Sequence, residues 1–247
     1  MTPTKPSSLG QQPAGAAPLD GDSLDGLRLS WVTTQGELNE AEAANILSAR
    51  GWAYRRRAAR LWVLDPDALR EIHRRMLADV WTWAGTFRLR ETTIGIDPYQ
   101  IPVATRDLCD DIKAQLGDGI RTAYPLDEIA GRFHHRLVQI HLFPNGNGRH
   151  ARLATDLLVR DLGLPPFTWG GTVDDMVTAT DARSAYITAL RAADGGEIAP
   201  LLAFVRSEDG NGAPYDRFGV RPRTSRGPRR SSRPVTPPTR TDRGTRV

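Results

Sequence analysis

Residues 141–152 read HLFPNGNGRHAR. Upstream, Leu126 to Ile140 places Ile129, Phe133, Leu137 and Ile140 on one face at helical spacing. That helix should end at His141, because Phe143-Pro144 does not continue it well. Gly146-Asn147-Gly148 then opens a second helix, expected from about Asn147 to Leu162, with Leu153, Leu157 and Leu158 as its apolar face and a stop near Gly163. A glycine loop entering a helix leaves N–H groups unpaired at the positive end of the helix dipole, which is a site for an anion. Arg149 and Arg152, three residues apart, share a face of the first turns, where each can grip phosphate oxygens bidentately. His141, with an ordinary pKa near 6.5, can take a proton from a hydroxyl beside that anion. Singly these features are bland: a capping histidine, a turn, two solvated cations and a core Phe143. Together they call for a phosphate chain beside a proton to be removed.

The rest of the chain sets the frame. It has 247 residues, 39% hydrophobic and 25% charged, ordinary for a globular protein. No apolar run approaches the roughly 20 residues of a membrane span, and the first residues lack a signal-peptide core, so a cytoplasmic protein is expected. The single cysteine, Cys109, excludes an internal disulfide and a multi-cysteine zinc site, and its acidic neighbours Asp110 and Asp111 do not favour a reactive thiolate. From Gly210 on, ten arginines face two acids, +8, so a net charge of +4 leaves −4 on residues 1–209. The basicity belongs to the tail.

Composition divides the chain into a Pro/Gly/Ser-rich segment over 1–26, a helical domain over 27–208 and an Arg/Pro-rich tail over 209–247, both ends expected to be disordered. Within the domain, EAEAANILSAR predicts a helix that stops at Gly51. DPDALREIHRRMLADVW predicts another, opened by Asp65-Pro66, with Leu69, Ile72, Met76, Leu77 and Val80 inward. FRLRETTIGIDPYQIP carries β-branched residues around an Asp-Pro turn and reads as a short hairpin or extended flap. A helix over about 104–116 stops at Gly117, and one or two more occupy 173–206. The fold class is mainly α, a helical bundle with a small β-hairpin flap. His73 and the six tryptophans fit core packing; His134 and His135 lack the i, i+4 spacing of a helical zinc pair.

The stretch 141–152 resembles the Fic motif, HxFx(D/E)GNGRxxR, through His141, Phe143, Gly146, Asn147, Gly148, Arg149 and Arg152. IHRRMLADVWTWAGTFR resembles the helix and turn before that family's flap, and TTIGIDPYQIP resembles the flap. The resemblance covers roughly 30–205 and in detail is similar to the bacterial group called mobile mystery protein B. It implies a Fic-type helical bundle and a protein adenylyltransferase, an enzyme that moves AMP from ATP to a Ser, Thr or Tyr hydroxyl of a target protein. His141 would be the general base. Gly146, Asn147 and Gly148, with their backbone N–H groups, would hold the phosphates, and Arg149 and Arg152 the outer ones. Thr93, Ile94, Gly95 and Ile96 would bind the target segment by strand addition. Gly148 stands where Doc-type kinases have lysine, which favours nucleotidyl transfer.

Two features depart from the family. Asn145 stands where an acid usually binds Mg²⁺, and a neutral carbonyl is a weaker ligand for that cation. A catalytically silent nucleotide-binding module is therefore the alternative. Thr33 to Asn39 approximates the family's inhibitory (S/T)xxxE(G/N) motif, with Leu38 where Gly or Asn belongs. Within the candidate inhibitory segment 33–50, Glu37 would then either reach Arg152 and block a phosphate position, or serve as a first-turn acid favoured by the helix dipole. The expected partners are a target protein and a nucleotide, with nucleic acid or another polyanion as a reading of the basic tail.

Overall fold

The computed structural model describes residues 24–56, 59–117, 121–170 and 181–207. Residues 1–23 of the segment expected over 1–26, the whole tail expected over 209–247, and residues 171–180 lie outside them. The described chain is built of helices: α1 Gln35–Arg55, α2 Pro66–Leu77, α3 Ile101–Leu116 after a 3₁₀ turn at Pro98–Gln100, α4 Leu126–Ile140, α5 Asn147–Asp161, α6 Asp181–Asp194 and α7 Ala199–Val205. None is long and apolar enough to cross a membrane.

Helix starts follow local chemistry. Asp65 caps α2 by accepting from the N–H groups of Asp67 (2.7 Å) and Ala68 (3.4 Å), with Pro66 at the first helical position. Thr34 caps α1 in a reciprocal capping box with Glu37. Gly117, at φ 54°, ends α3 as expected. Gly51 does not end α1, which runs on to Arg55. Glycine costs roughly 1 kcal/mol in a helix interior. Here Ala49 and Ala53 are buried on either side, and Arg56 beyond the helix end stacks its guanidinium on Trp52 and Trp62. Tertiary packing outweighs the local preference.

The apolar faces expected for α2 and α4 form the core. Leu69, Ile72, Met76, Leu77 and Val80 meet Ile129, Phe133, Leu137 and Ile140 in one buried cluster. Helix α5 packs against α4 and touches α1 and α2, so the α4–α5 loop is held at the centre of the bundle. Of the short hairpin or extended flap expected over 87–102, the hairpin does not form. Among the described residues the single β pairing is an isolated bridge between Leu27 and Trp81, and the flap is an irregular segment of bends. Its polar backbone groups find partners elsewhere, chiefly on Arg88.

Candidate active site

The loop from His141 to Gly146 turns the chain from α4 into α5. His141 ends α4 in the left-handed region (φ 56°, ψ 66°), its N–H donating to Leu137 O at 3.2 Å. A residue with a Cβ pays about 1 kcal/mol there. Phe143 is fully buried and stacks on His73, ring centroids 3.7 Å apart. Asn147 clamps the same residue twice, accepting from Phe143 N at 2.9 Å and donating Nδ2 to Phe143 O at 2.7 Å. Gly146 follows at φ 78°, where a Cβ would stand 2.8 Å from Leu77 Cδ1. Glycine is required twice over, by conformation and by contact.

His73 holds this loop from below. Gly85 N–H donates to its Nδ1 at 2.9 Å, so the proton resides on Nε2, which donates to Asn145 O at 2.9 Å. Burial keeps this ring neutral, its pKa well below the ordinary histidine value, with His150 and Arg149 adding to the fall. Its role exceeds the core packing expected of it.

The N-cap of α5, Gly146, supplies no side-chain hydrogen bond to the first turn. An uncapped helix start at the centre of a bundle is a place for an anion's oxygens. The cations stand on that turn. Arg149 donates Nη1 to Glu42 Oε2 at 2.7 Å, and Glu42, 4% exposed, also accepts from Trp81 Nε1 at 2.7 Å. Arg152 lies half-buried with its guanidinium carbon 5.8 Å from the Tyr186 ring centroid. Burial pulls its pKa down, Tyr186 and Asp156 oppose this, and Arg149 and Arg183 press it further down. Arg149 and Arg183 both press on the Arg152 cation, and an anion placed there would relieve it.

His141 is 7% exposed, and burial, then the Arg88 cation, lowers its pKa to about 4. The Val138 carbonyl pulls the other way, without a well-aligned hydrogen bond to Nδ1, which is buried and lacks a partner. The ring is therefore neutral at pH 7 and able to accept a proton.

Asn145 turns Oδ1 back onto the Gly146 N–H, while its Nδ2 is buried without a partner. It thus presents an unmet donor, and its one oxygen is already engaged. Among the described residues no cluster of three His, Cys, Asp or Glu could hold a metal ion. These side chains do not fit a protein-ligated divalent cation.

Glu37 is not at the site. Its Oε2 accepts from Thr33 N (2.8 Å), Thr34 N (3.0 Å) and Thr33 Oγ1 (3.1 Å), and these bonds hold its pKa below the ordinary carboxylate value. Of the two readings of Glu37, contact with Arg152 or first-turn acid, these hydrogen bonds fit the second, as part of the α1 cap. The acid that α1 sends to the first turn of α5 is Glu42, which pairs with Arg149. It could have been found from the helix face Leu38, Glu42, Asn45, Ala49 and Ala53, all buried, which places a carboxylate among core positions. The remaining candidates lie apart. His134 bonds the Tyr186 hydroxyl at 2.8 Å, His135 pairs with Asp194 at 2.8 Å, and burial pushes the Cys109 thiol up to about 12. Of the flap residues, Gly95 lies against His141, its absent Cβ falling 2.8 Å from the histidine's Cβ, and Ile94 is 37% exposed.

Residues 63–159 match the family model described as the Fic/DOC family. The chain is similar to protein adenylyltransferase fic-1 of Caenorhabditis briggsae, 29% identical over 140 residues, 56% of this chain and 26% of that protein. It thus spans about a quarter of that relative's length. In fold it resembles a Fic-1 fragment of C. elegans (24% identity, TM-score 0.53, covering 76% of this chain and 57% of that one). It also resembles the N-terminal Fic domain, with bound ADP, of a Bartonella quintana effector (18% identity, TM-score 0.55, covering 72% and 86%). The segment from Val63 to Val159, with the loop and the arginines just described, is a Fic/DOC family domain.

Proposed function

We propose that this protein is an adenylyltransferase that transfers AMP from ATP to a hydroxyl of a target protein. The observation that carries the reading is the neutral His141 ring at the end of α4, beside the uncapped start of α5 and its crowded arginines. The acceptor hydroxyl gives its proton to His141, and its oxygen bonds to the α-phosphorus. The bond from that phosphorus to the β-phosphate bridging oxygen breaks, and pyrophosphate leaves with the electron pair. The first-turn N–H groups of α5 are aimed to stabilise charge at the α-phosphate. Arg149 and Arg152 bind the outer phosphates and so the leaving group, Arg149 exchanging Glu42 for phosphate oxygen.

The flap over Thr93–Ile96 receives the target segment by main-chain pairing. Its lack of a ladder in the chain itself leaves it suited to one supplied by the target. Mg²⁺ would come with the ATP phosphates and neutralise part of their charge, since the oxygen of Asn145 is already bonded. The lone, buried Cys109 suits a reducing, cytoplasmic setting, and the resemblance of the flap and α2 sequences is the support for membership of the mobile mystery protein B group.

The test is transfer from ATP labelled at the α- or the γ-phosphate, comparing wild type with His141→Ala, with a bacterial lysate as the source of targets. Label reaching protein from α alone, and lost with His141→Ala, is expected. Label from γ alone would make the protein a kinase. Binding of ATP with no transfer would leave a silent nucleotide-binding module.

A further inference from the structure

Arg88 is 3% exposed, and among the described residues no carboxylate accepts a hydrogen bond from it. Asp97 and Glu91 act on it only through space. Its donors go instead to four backbone carbonyls. Nε donates to His141 O at 2.6 Å and Nη2 to Ile140 O at 3.3 Å, both at the end of α4. Nη1 donates to Arg90 O at 2.8 Å and Nη2 also to Ile96 O, both on the flap. The backbone joins the same two places, with Arg88 N–H donating to Leu142 O at 2.9 Å and Ile96 N–H to Ile140 O at 3.5 Å.

This arrangement needs arginine. A guanidinium carries five donors in a fixed plane, enough to reach two segments at once, whereas an ammonium is a compact point donor on a flexible stem. One cation here answers the last carbonyls of α4, where the helix dipole is negative, and pins the carbonyl of the left-handed His141. The same plane holds both ends of the flap. Gly95 lies over Arg88 and His141 together, since a Cβ on it would meet Arg88 Nη2 and the His141 side chain.

We propose that Arg88 is a positioning residue that ties the target-binding flap to His141, so that an acceptor hydroxyl laid along the flap meets the base at a fixed distance. The inference rests on the transferase reading for its purpose. The tie itself is a property of the fold. It explains why an irregular segment without a strand partner can serve as a template: its register is set by one buried side chain. The Arg88 cation also acts on the His141 ring, lowering its pKa.

The test uses Arg88→Lys and Arg88→Met in the full chain. Arg88→Lys keeps the charge and loses the fork. Amide hydrogen exchange over residues 91–96 should rise about tenfold or more, while exchange in α5 stays as in wild type. ATP affinity should stay within about twofold, and α-phosphate transfer should fall on the order of 100-fold, the usual cost of a misplaced reacting group. The His141 ring, titrated by NMR, should keep its wild-type midpoint in Arg88→Lys and titrate higher in Arg88→Met, where the neighbouring cation is gone. Unchanged exchange at 91–96 in folded Arg88→Lys overturns the proposal. So does exchange that rises equally in α5, because that is a general loss of stability. If wild type transfers no label at all, the transferase reading fails, and the exchange and titration arms still decide the tie.

Discussion

Glu42→Gln separates competition from support at the phosphate site. The substitution preserves shape, and the amide oxygen can still accept from Trp81 Nε1, which Glu42 now satisfies at 2.7 Å. What it removes is the oxygen facing Arg149 at 2.7 Å, whose place the amide NH₂, a donor, then takes. A hydrogen bond between charged partners contributes about 1.5–3 kcal/mol, of which water recovers part at a partly exposed side chain. Releasing Arg149 for an incoming phosphate is therefore easier by roughly 1–1.5 kcal/mol, about tenfold in ATP affinity. The Arg149 side chain is 24% exposed, so water can take over part of the lost pairing and the fold should tolerate the change. Titration calorimetry should show ATP binding about tenfold tighter and AMP binding nearly unchanged, since AMP lacks the outer phosphates. Glu42→Ala would confuse the result by leaving a buried indole N–H unmet. A folded Glu42→Gln protein that binds ATP no better, or less well, would show that Glu42 orients Arg149 for the nucleotide instead of competing with it.

Glu37→Ala should fray the start of α1 and leave ATP binding and transfer at wild-type levels, because Glu37 serves the helix cap alone; a rise in self-modification would contradict that. Asn145→Asp replaces an unmet donor with an anionic oxygen, so transfer should become more strongly dependent on Mg²⁺ in a metal titration, and an identical metal profile would count against the fit argument. Thermal stability should fall between pH 6.5 and 4. His73, His134, His141 and His150 all have lowered folded pKa values, the last three at about 3, 4 and 4, so the unfolded chain binds more protons in that window. At pH 5 each of the last three costs up to about 2 kcal/mol relative to pH 7. Asp156, raised to about 6 by burial, works in the opposite direction and recovers about 1 kcal/mol over the same range. A melting temperature that stays flat from pH 7 to pH 5 would mean the histidines are solvated in solution.

What was legible in the sequence was whatever the chain keeps contiguous. The base, the glycine turn and both arginines lie within twelve residues, and helical periodicity alone assigns the buried faces of α2 and α4. What was not legible depends on direction or on distance. Glu37 and Glu42 are five residues apart on one helix, about 140° around its axis at 100° per residue, and that rotation decides which one caps and which one meets Arg149. The β-branched run Thr92, Thr93, Ile94 and Ile96 carries strand preference, yet no neighbouring segment offers a ladder, and preference without a partner does not make a hairpin. His73 and Arg88 reach the loop across 72 and 53 residues, and both act on backbone carbonyls, which are the same in every sequence. A motif therefore marks the groups proposed to meet the nucleotide, while the groups that hold them in place leave no pattern of their own. Their one trace is chemical, an arginine or histidine among core residues, because a buried donor must find an acceptor and in this bundle the unclaimed acceptors lie where helices end.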